Sequence, residues 1–239
     1  MRNVRLVIEY DGSDFNGWQY QPEQRTVQGE LESAIEKITT ETIRLTGAGR
    51  TDRGVHAFGQ VANFLTASNL KLDRMQKAIN GLTGDDVYIR QIDEVPIEFH
   101  SRYSALNKTY RYRIIFEPLP LLLRYNWYVK YRLDITRMSK AIESLHGIHD
   151  FKFFSMLTDK KNTECNVFQL DLTPEETGCI ITIKANRFLH KMVRGLVGFL
   201  CDIGRNRYRP DDVHLVFKGK IKDIYFAPPQ GLYLLKIDY

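Results

Sequence analysis

The sequence predicts an α+β protein made of two similar split β-α-β halves. They share a mostly antiparallel sheet with a central basic cleft. Three observations predict it. Apolar residues switch repeatedly between a period of two and a period near 3.6. The elements run strand–helix–strand–strand–helix–strand and then much the same again. No Gly-, Ser- or Pro-rich linker separates the repeats, although no clear internal sequence repeat is visible either. The boundary falls near Ser104 to Asn107, giving halves 1–105 and 106–239.

Each element has its own signal. Val4, Leu6, Ile8 and Tyr10 alternate as a first strand, which Asp11-Gly12 breaks. Val27, Leu31, Ala34, Ile35 and Ile38 follow helical spacing. Short strands are expected over Ile43–Thr46 and Val61–Leu65. A helix is expected over Met75–Leu82 with Asp73 as its cap, and a strand over Val87–Ile92. In the second half Tyr110, Tyr112, Ile114 and Phe116 alternate strictly. Ile135–Leu145 reads as an amphipathic helix ending at Gly147. Val167–Leu172 and Ile180–Ala185 are strands around a Pro/Glu/Gly turn. Leu189, Val193, Leu196, Leu200 and Ile203 form the stripe of a long helix, and Leu232, Leu234 and Ile237 a closing strand.

With 239 residues, 43% of them hydrophobic, the chain can bury a sizeable core. No apolar stretch reaches the length of a membrane span. The first ten residues carry Arg2, Arg5 and Glu9 and read as a strand, not a signal peptide. Three widely separated cysteines, Cys165, Cys179 and Cys201, offer neither a disulfide framework nor a Cys-x-x-Cys metal site, which fits a cytoplasmic, reducing compartment.

The most telling segment is Gly47-Ala48-Gly49-Arg50-Thr51-Asp52-Arg53-Gly54-Val55-His56, between two strand-like runs. One acid sits between two arginines in a glycine-rich turn. A neighbouring positive charge favours an ionised carboxylate, and the same arginines and turn N–H groups can hold a phosphate. The residues also fit an ordinary surface loop, where exposed ion pairs contribute little. The segment is neither a Walker A loop, which needs a following Lys-Ser/Thr, nor a Rossmann fingerprint, which needs a third glycine.

The formal net charge is +5, and its distribution says more. From Phe99 to Leu133 seven basic residues face one acid, Glu117; from Asn186 to Arg209 six face Asp202 alone. Basic stretches interleaved with Tyr and Phe are the footprint of a polyanion binder, though each stretch also fits a solvated face. Lys108, Tyr110 and Tyr112 share one face of their strand, where an aromatic ring beside a basic groove can stack an unpaired base. A tyrosine of the sheet core would look the same. Arg187, Lys191 and Arg194 share one side of the expected long helix, with Arg194 near its middle. Gly195 and Gly198 weaken that helix, which points to close approach of backbone or ligand. His146, His149 and Asp150 lack the partners of a zinc site, and His149 and Asp150 are expected to bond locally.

Taken in order, these segments resemble the tRNA pseudouridine synthase A family over most of the chain. The resemblance runs through Tyr10-Asp11-Gly12, Phe15-Asn16-Gly17-Trp18-Gln19, Thr26-Val27-Gln28 and Gly49 to Ala57. It continues through Phe99 to Ala105 with Lys108 and Tyr110, His149-Asp150-Phe151, Phe188 to Arg194 and Ala227 to Leu234. The resemblance implies isomerisation of uridine to pseudouridine in the anticodon stem-loop of tRNA, at positions 38 to 40. It implies no cofactor and no metal, and a homodimer that holds one tRNA across both subunits. Asp52 matches the family's catalytic aspartate. Tyr110 matches the tyrosine that stacks on the target base, and Arg194 the arginine paired with the carboxylate. Arg50 matches the arginine that fills the space of the extruded base. Arg53 and Lys108 join the substrate-binding set, and Leu232 is expected to pack under Tyr110. One departure is visible. After Phe151 the family usually carries a small-residue, Cys-containing stretch and then an Arg. Here Ser155–Cys165 carries Asp159, Lys160 and Lys161, and Asn166 stands where the Arg is expected. That stretch is expected to help hold RNA, and its divergence bears on tRNA preference. The competing expectations are a non-catalytic tRNA-binding protein or chaperone, and another nucleotide-directed enzyme such as a glycosylase or hydrolase.

Overall fold

The computed structural model describes residues 1–156 and 162–239. The chain divides into two compact units: Met1–Leu106 with Tyr233–Tyr239, and Asn107–Leu232. The last seven residues thus group with the first unit, because the strand they form pairs there.

In the first unit β1 (Arg2–Tyr10) lies between β3 (His56–Thr66) and β4 (Val87–Val95), antiparallel to both. The short β2 (Thr46–Gly47) pairs antiparallel with β3, and β10 (Leu232–Asp238) runs parallel to β3, setting Tyr233 opposite His56. The alternation in β1 is a burial pattern: Val4, Leu6, Ile8 and Tyr10 are all buried. Helix α1 (Val27–Thr39) buries Val27, Leu31, Ala34 and Ile35 and starts at Thr26, whose hydroxyl accepts from the Gly29 N–H. Such a cap is worth about 1 kcal/mol. Helix α2 (Leu72–Leu82) packs on α1 and on β4. It begins one residue before Asp73, which sits in its first turn and not at the cap. There its charge complements the helix dipole. A buried polar cluster ties the 96–101 segment to the sheet. The Asn3 amide donates to the carbonyls of Pro96 (3.1 Å) and Phe99 (2.9 Å), and Asn63 accepts from the Ser101 hydroxyl at 2.7 Å.

In the second unit β5 (Asn107–Ile115), β9 (Gly178–Ala185), β8 (Glu164–Glu175) and β7 (Gly147–Asp150) pair in that order, all antiparallel. The short β6 (Trp127–Tyr128) joins β5 in parallel. Helix α3 (Ile135–Glu143) packs on β8 and on α4 (Met192–Gly204), and α5 (Val213–Phe217) follows. Gly147, at φ +89°, opens β7 rather than closing α3, which ends at Ser144. The repeated element order is present, with β6, β7 and α5 added to the second round.

The long helix is shorter than its apolar spacing suggests. It starts at Met192, after Lys191 adopts a left-handed φ of 59°. Arg187 and Lys191 therefore lie outside it and share no helix face with Arg194. Arg194 sits in the first turn, not the middle. The glycines of α4 serve close backbone packing. A Cβ on Gly195 would lie 2.1 Å from the Phe154 carbonyl oxygen, and one on Gly198 1.8 Å from that of Tyr225.

Candidate active site

Arg50, Asp52 and Arg53 lie on the loop between β2 and β3, held from three sides. The Trp18 N–H donates to the Thr51 carbonyl at 3.1 Å. The buried Thr51 hydroxyl bonds the Tyr10 phenol at 2.8 Å. The Gln60 amide donates to the Gly49 carbonyl at 2.9 Å, and the Ala48 N–H to the Val61 carbonyl at 2.8 Å. Two glycines let neighbouring backbone reach the loop. Gly17 has φ +89°, and a Cβ there would lie 2.7 Å from the Thr51 oxygen; one on Gly12 would lie 2.0 Å from that of Val55. The Gly12 N–H also donates to His56 Nδ1 at 3.1 Å, and the His56 ring stacks on Tyr233 at 4.9 Å. Asp52 is half-buried on this frame, while Arg50 and Arg53 are exposed. A carboxylate on a half-buried residue of a braced loop can attack an electrophilic carbon or take a proton. Flanking guanidinium groups suit phosphate oxygens.

Lys108, Tyr110, Arg194 and Leu232 belong to the second unit. Tyr110 is buried on β5 opposite Ile183, and its ring packs T-shaped with that of Phe188, centroids 4.9 Å apart. Lys108 is half-buried two residues before it. The Tyr112 hydroxyl donates to the Pro228 carbonyl at 2.7 Å, and burial holds its phenol well above the usual range. Tyr112 is thus a structural tyrosine that fixes the chain leading to Leu232, itself buried. The Arg194 Nε–H donates to the Ala227 carbonyl at 2.6 Å. A cation in a first helical turn opposes the dipole by about 0.3–1 kcal/mol, and Lys191 beside it carries a left-handed backbone. Strained and electrostatically unfavourable positions cluster at working sites.

His149 and Asp150 bond locally, as their spacing suggests: His149 Nε2 lies 2.7 Å from the His146 carbonyl, and Asp150 accepts from the Lys152 N–H at 2.9 Å. Among the described residues no cluster of three or more His, Cys, Asp or Glu could hold a metal. Leu157 to Lys161, within the divergent stretch expected to help hold RNA, lie outside the described residues. The sequence did not single out Phe188 as the neighbour of Tyr110, or the Ala227 carbonyl as the anchor of Arg194. Both lie in the segments that carry the family resemblance, which was the available signal.

A family model described as tRNA pseudouridine synthase matches residues 6–104 and 141–239. The chain belongs to this family. Among its relatives, a tRNA pseudouridine synthase A of Thermoanaerobacter sp. (strain X514) is 43% identical over 244 residues, covering 100% of both chains. That of Caldicellulosiruptor bescii is also 43% identical, and that of Chlorobium limicola 42%, each with 100% of both chains covered. Proteins of this family are isomerases. Membership accords with the α+β fold, and the two matched stretches accord with its repeated element order.

Proposed function

We propose that this chain isomerises uridine to pseudouridine in the anticodon stem-loop of tRNA, at positions 38 to 40, with Asp52 as the catalytic carboxylate. The observation that carries the proposal is the Asp52 loop, locked by Trp18, Tyr10 and Gln60, with Asp52 half-buried and its sequence neighbours Arg50 and Arg53 exposed. The reaction breaks the N1–C1′ bond, turns the uracil and joins C5 to C1′, so the hydrogen at C5 leaves as a proton and N1 takes one up. No redox partner is needed. The target must leave the helical stack before C5 can be reached. Tyr110 stacks on the turned base, Arg50 fills the space it vacates, and Arg194 serves the Asp52 carboxylate as its cation. Arg53 and Lys108 hold phosphates, and Leu232 supports Tyr110. The same proposal makes the protein a cytoplasmic homodimer holding one tRNA across both subunits. Among the described residues no helix is long and apolar enough to cross a membrane.

The test is tritium release from tRNA carrying 5-tritiated uridine. Wild type is expected to release tritium, and Asp52→Asn to lose at least about 10⁴ in rate, the scale of removing a principal catalytic group, with tRNA affinity within a few-fold. Full activity in Asp52→Asn would remove the carboxylate from the mechanism. Tight binding without release by wild type would favour a binding protein, and release of free uracil a glycosylase.

A further inference from the structure

The two basic stretches of the sequence leave out a third group of lysines that the fold assembles. A single 3₁₀ turn, Lys152–Phe154, packs against α5 through aromatic rings. Phe217 lies 5.4 Å from Phe154 and 5.5 Å from Phe151, and stacks on His149 at 4.5 Å. The chain then turns at Gly219, where φ is +66° and a Cβ would lie 2.7 Å from the Phe153 ring. The ring therefore rests on the glycine. Around it stand Lys152, with Nζ 6.0 Å from the ring centroid, and Lys222, with Nζ at 5.8 Å. Lys218 and Lys220 flank Gly219, and all four lysines are exposed. Leu215 fixes the turn by accepting from the N–H groups of Lys220 (2.8 Å) and Ile221 (3.3 Å).

The carboxylates nearest in sequence are already engaged. Asp150 accepts from the Lys152 N–H, and Asp223 pairs with Arg207 at 3.5 Å. The result is a group of like charges on a rigid aromatic base. Such a group repels itself, which makes a polyanion its natural complement.

We propose that Lys152, Lys218, Lys220 and Lys222 around Phe153 form a docking surface for the phosphodiester backbone of the substrate RNA, outside the nucleotide that is isomerised. This rests on the reading of the chain as a tRNA-modifying enzyme. Lysines are point charges and read no base, so the surface adds affinity and register without sequence preference. Its preformed frame lowers the ordering cost of binding.

The test is equilibrium binding of unmodified tRNA across a salt series. It uses wild type, Lys218→Ala/Lys220→Ala/Lys222→Ala, and the same three positions changed to Arg. Each phosphate contact contributes about 0.7–0.9 to the slope of log K against log salt. The alanine variant is expected to bind about tenfold more weakly at low salt, with the slope shallower by about 2. The arginine variant should keep both. Unchanged affinity and slope in the alanine variant would overturn the proposal. So would a loss that arginine does not restore, since that points to the fold and not to charge. Failure of the underlying reading looks different: wild type would bind tRNA with a steep salt dependence yet release no tritium.

Discussion

Arg194 and Ala227 bond to each other twice. The Arg194 Nε–H donates to the Ala227 carbonyl at 2.6 Å, and the Ala227 N–H donates to the Arg194 carbonyl at 3.0 Å. Side chain and backbone of one residue are thus clamped by one neighbour, which fixes the plane of the guanidinium. Lysine has no equivalent of the Nε–H beside a second donor face. Arg194→Lys is therefore expected to lower kcat by about 100-fold, the scale of losing one preorganised electrostatic contact, with a smaller change in KM. Single-turnover and steady-state tritium release on one tRNA measure both. A change confined to KM would recast Arg194 as a phosphate contact.

The approach of Gly17 to the Asp52 loop makes a sharper prediction. Its φ of +89° and the 2.7 Å from a would-be Cβ to the Thr51 oxygen both exclude a side chain. Gly17→Ala is expected to destabilise the protein by about 1–3 kcal/mol and to reduce turnover more than it reduces stability, because the loop that moves carries Asp52. Gly81 is the control. It lies in α2 with nothing within 4 Å of a Cβ, so Gly81→Ala is expected to stabilise by up to about 1 kcal/mol. Urea unfolding and tritium release on both variants separate the loop effect from a general one.

These positions show what a sequence can carry. The strands β1 and β5 were legible because one face of each is buried, so period two is imposed on the residues themselves. The Asp52 loop was legible because Gly, Asp and Arg are chemically distinctive. The start of α4 was not. Leu189 continues the helical apolar spacing, while the backbone of Lys191 turns to a left-handed φ of 59° just before the helix starts. The grouping of Tyr233–Tyr239 with the first unit comes from pairing with β3, far away along the chain. The lysines around Phe153 were missed because their two segments lie some sixty residues apart and only the fold brings them together.

The core beneath the Asp52 loop should also reveal itself at high pH. Burial pushes the Tyr10 phenol from 10.0 up to about 12, against the opposing pull of hydrogen bonds with Thr51 and Gln60. The folded state therefore holds the neutral phenol more strongly than the unfolded chain does. Its contribution is fully present below pH 10 and is lost as pH rises from 10 towards 12, at up to about 1.4 kcal/mol per pH unit. The thiols of Cys165 and Cys179, raised by burial from 9.0 to about 11 and about 12, add a loss of the same sign that begins near pH 9. Tyr10→Phe removes one titrating group and one buried hydrogen bond. It is expected to be less stable than wild type by about 1 kcal/mol at pH 8, yet to lose stability less steeply above pH 10, so that the two curves converge. Urea unfolding from pH 8 to 12 gives both curves. If they run parallel, the alkaline loss belongs to other groups and Tyr10 is not what titrates.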